Sequence, residues 1–145
     1  MTCPVFWVEP AFFLLFGLFH LHRIWGLADR RGYASFWLNV LENRGPLYWI
    51  LMAVLICLCA SGLFLFFRSR GRGPKRYWIY LAGGGYVLFD LFAIAVGLRP
   101  WLALLRWMFD VNNPMWNWLW GGFALMGLFC FLYGVFLLKT KCRKS

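Results

Sequence analysis

One aspartate, two histidines and one arginine hold the positions where this chain could do chemistry. Asp90 stands between Phe89 and Leu91, deep in an otherwise apolar run. A carboxylate at the centre of a membrane helix costs roughly 2.5–3.5 kcal/mol on insertion scales, so it calls for a partner, a wet cavity or a function. Three uses are open: a proton or cation site, a pair with a basic group, or a contact satisfied by another subunit.

His20, His22 and Arg23 are the groups that could meet it. His20 lies about fourteen residues in from Phe6 and Asp90 about thirteen in from Tyr77, so at 1.5 Å per residue their depths agree to within a turn if both helices start on one side. An opposite charge or a hydrogen bond would lower the cost of each group. Arg23, one turn further out, is the alternative partner. The same histidines raise the question of haem or quinone. Two histidines at i and i+2 point about 200° apart on a helix. One chain therefore cannot clamp a haem between them, although a homodimer or a partner subunit could. No third histidine is present to build a zinc site, and the expected cofactor is none.

Covalent chemistry has little to stand on. Both histidines fall in one segment, and the five carboxylates (Glu9, Asp29, Glu42, Asp90, Asp110) are scattered. Cys57, Cys59 and Cys130 lie inside apolar runs, Cys3 and Cys142 near the ends, and no CxxC occurs. Cysteines so placed read as small packing residues.

The elements that position these groups follow from composition. Hydrophobic residues make up 63% of the chain and charged residues only 14%, against about 25% charged in ordinary soluble domains. The mean hydropathy is +0.66. The expectation is an all-α integral membrane protein, a single domain over 1–145, with four transmembrane helices near 5–27, 47–67, 77–98 and 116–138. The second run, from Leu47 to Phe67, carries no charge and is long enough for a hydrocarbon core of about 30 Å. Pro46 suits its first turn; Asn113 and Pro114 suit the start of the fourth run. The linkers near 34–43 and 99–109 read as short amphipathic interfacial helices, the first with Phe36, Trp37, Val40 and Leu41 on one face.

The net charge of +10 is spread in clusters between apolar runs, which points to membrane topology and anionic headgroups and away from nucleic acid. The densest cluster is Arg68, Arg70, Arg72, Lys75 and Arg76, a contact for headgroups or for a partner. The linker balance favours both termini in the cytoplasm, in a plasma or inner membrane. Small residues recur at helix-packing spacing: Ala53, Cys57 and Ser61; Ala93 and Gly97; Gly121, Ala124, Gly127, Cys130 and Gly134. With much packing surface and little polar chemistry, the chain is expected to be a non-catalytic accessory or structural subunit of a larger membrane complex. The alternatives are a small homo-oligomeric transporter or ion-conducting protein using Asp90, and a haem- or quinone-binding subunit using His20 or His22.

Overall fold

The computed structural model describes residues 5–69 and 78–142, and every element among them is a helix. In chain order these are α1 (Val5–Leu21), α2 (Arg23–Ala28), α3 (Arg30–Asn43), α4 (Pro46–Ser69), α5 (Trp78–Ala95), α6 (Arg99–Met108) and α7 (Trp116–Cys142). Three stretches among the described residues are long and apolar enough to cross a membrane: Val8–Ala28, Pro46–Phe67 and Trp116–Thr140. A fourth is available as the pair Leu81–Ala95 and Arg99–Met108, which bends by 107°.

That bend has a local cause. Gly97 takes φ +71°, the left-handed region. Its amide donates to the Ile94 carbonyl (3.2 Å), and the next amide, Leu98, donates to Ala93 (2.9 Å). This is the Schellman ending, which closes a helix on a glycine because a Cβ is disfavoured there. Leu98 then turns extended and Pro100 opens α6. Gly97 thus serves as a helix stop, and a Cβ on it would meet nothing within 4 Å.

The tightest packing is α1 against α7. A Cβ on Gly17 would come within 2.5 Å of the Phe131 amide nitrogen, and one on Gly127 within 2.6 Å of the His20 Cβ. A Cβ on Gly134 would meet Leu14 at 2.9 Å. Backbones this close gain van der Waals contact that apolar lipid chains alone do not enforce. Ala124 is buried on the same helix, and Cys130 packs partly buried against the main core. Gly121 has open space where its Cβ would be. α4 packs on α5, burying Tyr48, Met52, Leu55 and Cys59. Ala93 is fully buried on α5. Ala53 and Cys57 face outward instead and Ser61 is half-buried, its hydroxyl donating to the Leu58 carbonyl at 2.7 Å. The close approaches of α4 are instead at Gly62, which receives the Phe12 ring of α1, and beside Gly84 of α5, where Leu63 and the Cys59 carbonyl sit.

α2, α3 and α6 close one end. Asp29 ends α2 in an extended conformation and caps α3, its Oδ1 accepting from the Gly32 amide at 2.9 Å. Asn113 anchors the start of α7: its Oδ1 accepts from the Met115 amide and its Nδ2 donates to the Trp107 carbonyl, both at 2.9 Å. Buried Trp116 donates through Nε1 to the Gly26 carbonyl at 2.8 Å. A second core forms here around Tyr33, Ala34, Phe109, Trp116 and Trp120. Helices occupy both linkers, α3 starting at Arg30, four residues before the expected start, and α6 at Arg99. They are joined at the surface by Arg106 and Glu42, 4.0 Å apart.

Candidate functional site: a polar chamber inside an apolar bundle

A cavity of about 360 Å³ opens between α1, α4, α5 and α7, floored by α3 and α6. That is within the size range of small-molecule sites, roughly 300–1,000 Å³. His20, His22, Arg23 and Asp90 all line it, so four residues singled out by type and depth share one chamber. They do not pair as their depths suggest. Asp90 Oδ1 accepts from the indole N–H of Trp101, at 2.6 Å. No ion pair joins it to Arg23 among the described residues. The partner comes from α6, which the bend at Gly97 folds back across α5.

The histidines are held by their own helix. His20 Nδ1 donates to the Phe16 carbonyl at 2.9 Å. His22 Nδ1 donates to the Phe19 carbonyl, and its Nε2 lies 3.1 Å from the Tyr33 hydroxyl. A carbonyl can only accept, so in the neutral ring Nδ1 carries the proton and Nε2 accepts from Tyr33. Both nitrogens of His22 are then occupied by protein groups, whereas His20 is held through Nδ1. Tyr33, outside the long apolar helices, has its hydroxyl pushed up to about 12 by burial, with the Arg23 guanidinium beside it pulling the other way.

Arg23 is the exceptional residue. Its guanidinium carbon lies 4.2 Å from the centroid of the Phe123 ring, 5.5 Å from Trp120 and 5.9 Å from Phe19. Such stacking offsets part of the cost of burying the charge. It supplies no acceptor, and Nε and Nη1 are buried without a hydrogen-bond partner. So are Trp37 Nε1, Trp120 Nε1 and the Tyr48 hydroxyl, and all five atoms belong to residues that line the chamber. Guanidinium and indole nitrogens are donors only. These atoms are packed among the residues that line the chamber and have almost no accessible surface of their own, while His20, His22, Arg23, Tyr33 and Asp90 are among the ionisable groups drawn together in its lining.

Trp37, Tyr48, Trp101 and Trp120 were not legible as site residues in the sequence. An aromatic near the end of an apolar run reads as an interface anchor, and only the tertiary arrangement turns its polar atom inward. Among the other expected sites, Arg68 ends α4 in its last turn, and Arg70, Arg72, Lys75 and Arg76 lie outside the described residues. No group of three or more His, Cys, Asp or Glu residues among those described could hold a metal ion. Comparison with known proteins brings no match: no family model fits the sequence, and neither a curated protein nor a solved structure matches it.

Proposed function

We propose that this chain is a four-span integral membrane protein that holds a small acceptor-bearing molecule inside its bundle, as a non-catalytic binding subunit of a membrane complex. The observation that carries the reading is a cavity of about 360 Å³ that gathers His20, His22, Arg23, Tyr33 and Asp90 in an otherwise apolar lining, with five unpartnered polar atoms packed among its lining residues. Each buried donor left unpaired costs about 1–3 kcal/mol, and more when charged. Side-chain shifts that let such atoms meet a bound acceptor would relieve that cost. The subunit role is supported by the outer faces, where Trp118 and Phe129 are 80% and 70% exposed and suit lipid or another apolar helix. In this reading α5 supplies the third of four spans and α6 lies against the interface, both termini are cytoplasmic, and the basic linker after α4 meets anionic headgroups.

The test is native mass spectrometry of the protein extracted in mild detergent. A bound molecule at fixed stoichiometry is expected, lost in Arg23→Gln; wild-type protein carrying nothing, and gaining no stability from any added acceptor-bearing amphiphile, refutes the reading. A second reading, a small homo-oligomeric carrier coupled to a proton or cation, is supported by the carboxyl of Asp90 in the same chamber with the Trp101 indole as its donor. It requires flux into liposomes that Asp90→Asn abolishes. A haem or quinone reading would rest on His20, because both ring nitrogens of His22 are engaged by protein groups.

A further inference from the structure

The chamber is not closed on all sides. Of the residues that line it, four are exposed: Ala82 and Tyr86 of α5, Leu104 of α6 and Met126 of α7. Every lining residue that precedes α5 is buried or half-buried. The packing order gives the reason. Among the described residues α7 packs on α1, α1 on α4 and α4 on α5, whereas α5 and α7 are not a packed pair. The four long helices thus form an open arc. The mouth of the chamber lies in the gap between the two ends of that arc, with α6 along one edge.

Depth decides what the mouth faces. Tyr86 stands eight residues in from Trp78 and nine short of Ala95, at the middle of α5. Met126 stands ten residues in from Trp116, about 15 Å at the helical rise of 1.5 Å per residue. That is half of a hydrocarbon core of about 30 Å. With α5 and α7 as spans, the mouth opens toward acyl chains. A charged molecule arriving there bears the cost of a bare charge in hydrocarbon, and a neutral one does not.

The mouth has a polar side chain of its own. Tyr86 is 51% exposed, unlike the buried Tyr33 and Tyr48 of the same lining. Its ring meets Trp101 edge to face, with centroids 6.3 Å apart. Asp90 follows one turn later on α5, held by the Trp101 indole. A phenol hydroxyl can donate, so Tyr86 can offer a proton to an incoming acceptor. Further in, Phe19 and Phe123 line the chamber, flat surfaces on which another ring can stack.

We infer that the chamber is entered sideways from the bilayer, between α5 and α7, by a neutral, lipid-soluble aromatic carbonyl compound whose oxygen accepts from the Tyr86 hydroxyl. This rests on the binding role proposed for the chamber. It adds the class of the ligand, its way in and the residue that reads it.

The experiment is photolabelling of the full chain in phosphatidylcholine liposomes with benzophenone, a neutral aromatic ketone that inserts into nearby C–H bonds on irradiation. Labelled residues are mapped by peptide mass spectrometry. The competitors are 2-acetonaphthone, also a neutral ketone, and 4-benzoylbenzoate, which adds a carboxylate to the same two rings. Saturable labelling of Met126 and Phe123 is expected, displaced by 2-acetonaphthone and at least about tenfold more weakly by 4-benzoylbenzoate. Tyr86→Phe, at an exposed position, is expected to weaken saturable labelling about two- to tenfold, the scale of one net hydrogen bond. Ala82→Trp crowds the mouth and should lower labelling of Phe123, while Ala53→Trp, on the outer face of α4, should leave it unchanged. Equal or stronger displacement by 4-benzoylbenzoate overturns the neutral class. Full labelling in Tyr86→Phe overturns the role of its hydroxyl. Full labelling in Ala82→Trp, or its loss in Ala53→Trp, overturns the mouth between α5 and α7. Unsaturable labelling spread over outward residues such as Phe129 overturns the inference as a whole, while native mass spectrometry judges the binding role separately.

Discussion

The crossing of α1 and α7 gives a prediction whose size follows from distances. In Gly127→Ala the new methyl would stand 2.6 Å from the His20 Cβ and 2.9 Å from the Gly17 carbonyl oxygen. Carbon atoms rest at about 3.5–4.0 Å, so α1 must retreat from α7 by about 1 Å along a contact built from backbone. Overpacking of this kind costs about 1–3 kcal/mol. Alanine returns up to about 1 kcal/mol through its better helix propensity. The expected net loss is about 1–2 kcal/mol. Gly122→Ala is the control: a Cβ there meets nothing within 4 Å, so the propensity gain acts alone and stability is equal or higher. Gly17→Ala demands the same retreat, because its methyl would meet Gly127 and Phe131 backbone atoms. The double variant should therefore lose less than the sum of the singles. The assay is unfolding by sodium dodecyl sulfate in mild-detergent micelles, followed by far-ultraviolet circular dichroism. If Gly127→Ala matches Gly122→Ala, or the two crossing variants add, the close backbone approach is wrong.

Other consequences are open to similar measurement. Trp116→Phe removes the donor to the buried Gly26 carbonyl and should cost about 1–3 kcal/mol in the same assay. Gly97→Ala should destabilise by about 1–2 kcal/mol and Gly97→Asn by less, because the residue sits at φ +71° with free space around it; equal losses for both would argue against a conformational cause. Tyr33 gives a pH signature. Its folded value is raised to about 12 from an unfolded value near 10, so its contribution is whole below pH 10 and declines by up to about 2–3 kcal/mol as pH rises to 12. Tyr33→Phe should lack that part of the alkaline loss, read as stability against pH for the two proteins side by side. Trp101→Phe takes the indole donor from Asp90 and should couple to Asp90→Leu by about 1–3 kcal/mol in a double-mutant cycle; zero coupling would mean the contact carries no energy.

The sequence by itself determined that the chain is helical and rich in runs apolar enough for a bilayer, since length and hydropathy are local properties summed along the chain. It led to an expectation of four spans, of which three are long and apolar enough among the described residues and the other exists only as part of a bent pair. It also marked His20, His22, Arg23 and Asp90 as worth explaining, because an ionisable group in an apolar run is visible without knowing its neighbours. Their contacts were not visible. Asp90 meets Trp101 because α6 folds back by 107° at Gly97. A Gly three residues before a Pro announces a stop but not the direction the chain then takes. Small-residue spacing was ambiguous for the same reason: Gly127 and Gly134 meet α1, while Ala53 and Cys57, at equally suitable spacing, face outward. Spacing fixes which residues share a helix face; only the packing of all the helices decides whether that face meets a neighbour, a chamber or lipid. Arg23, Trp37, Tyr48 and Trp120, which hold the five unpartnered atoms, come from four separate helices, so their meeting in the lining of one cavity belongs to the tertiary structure alone.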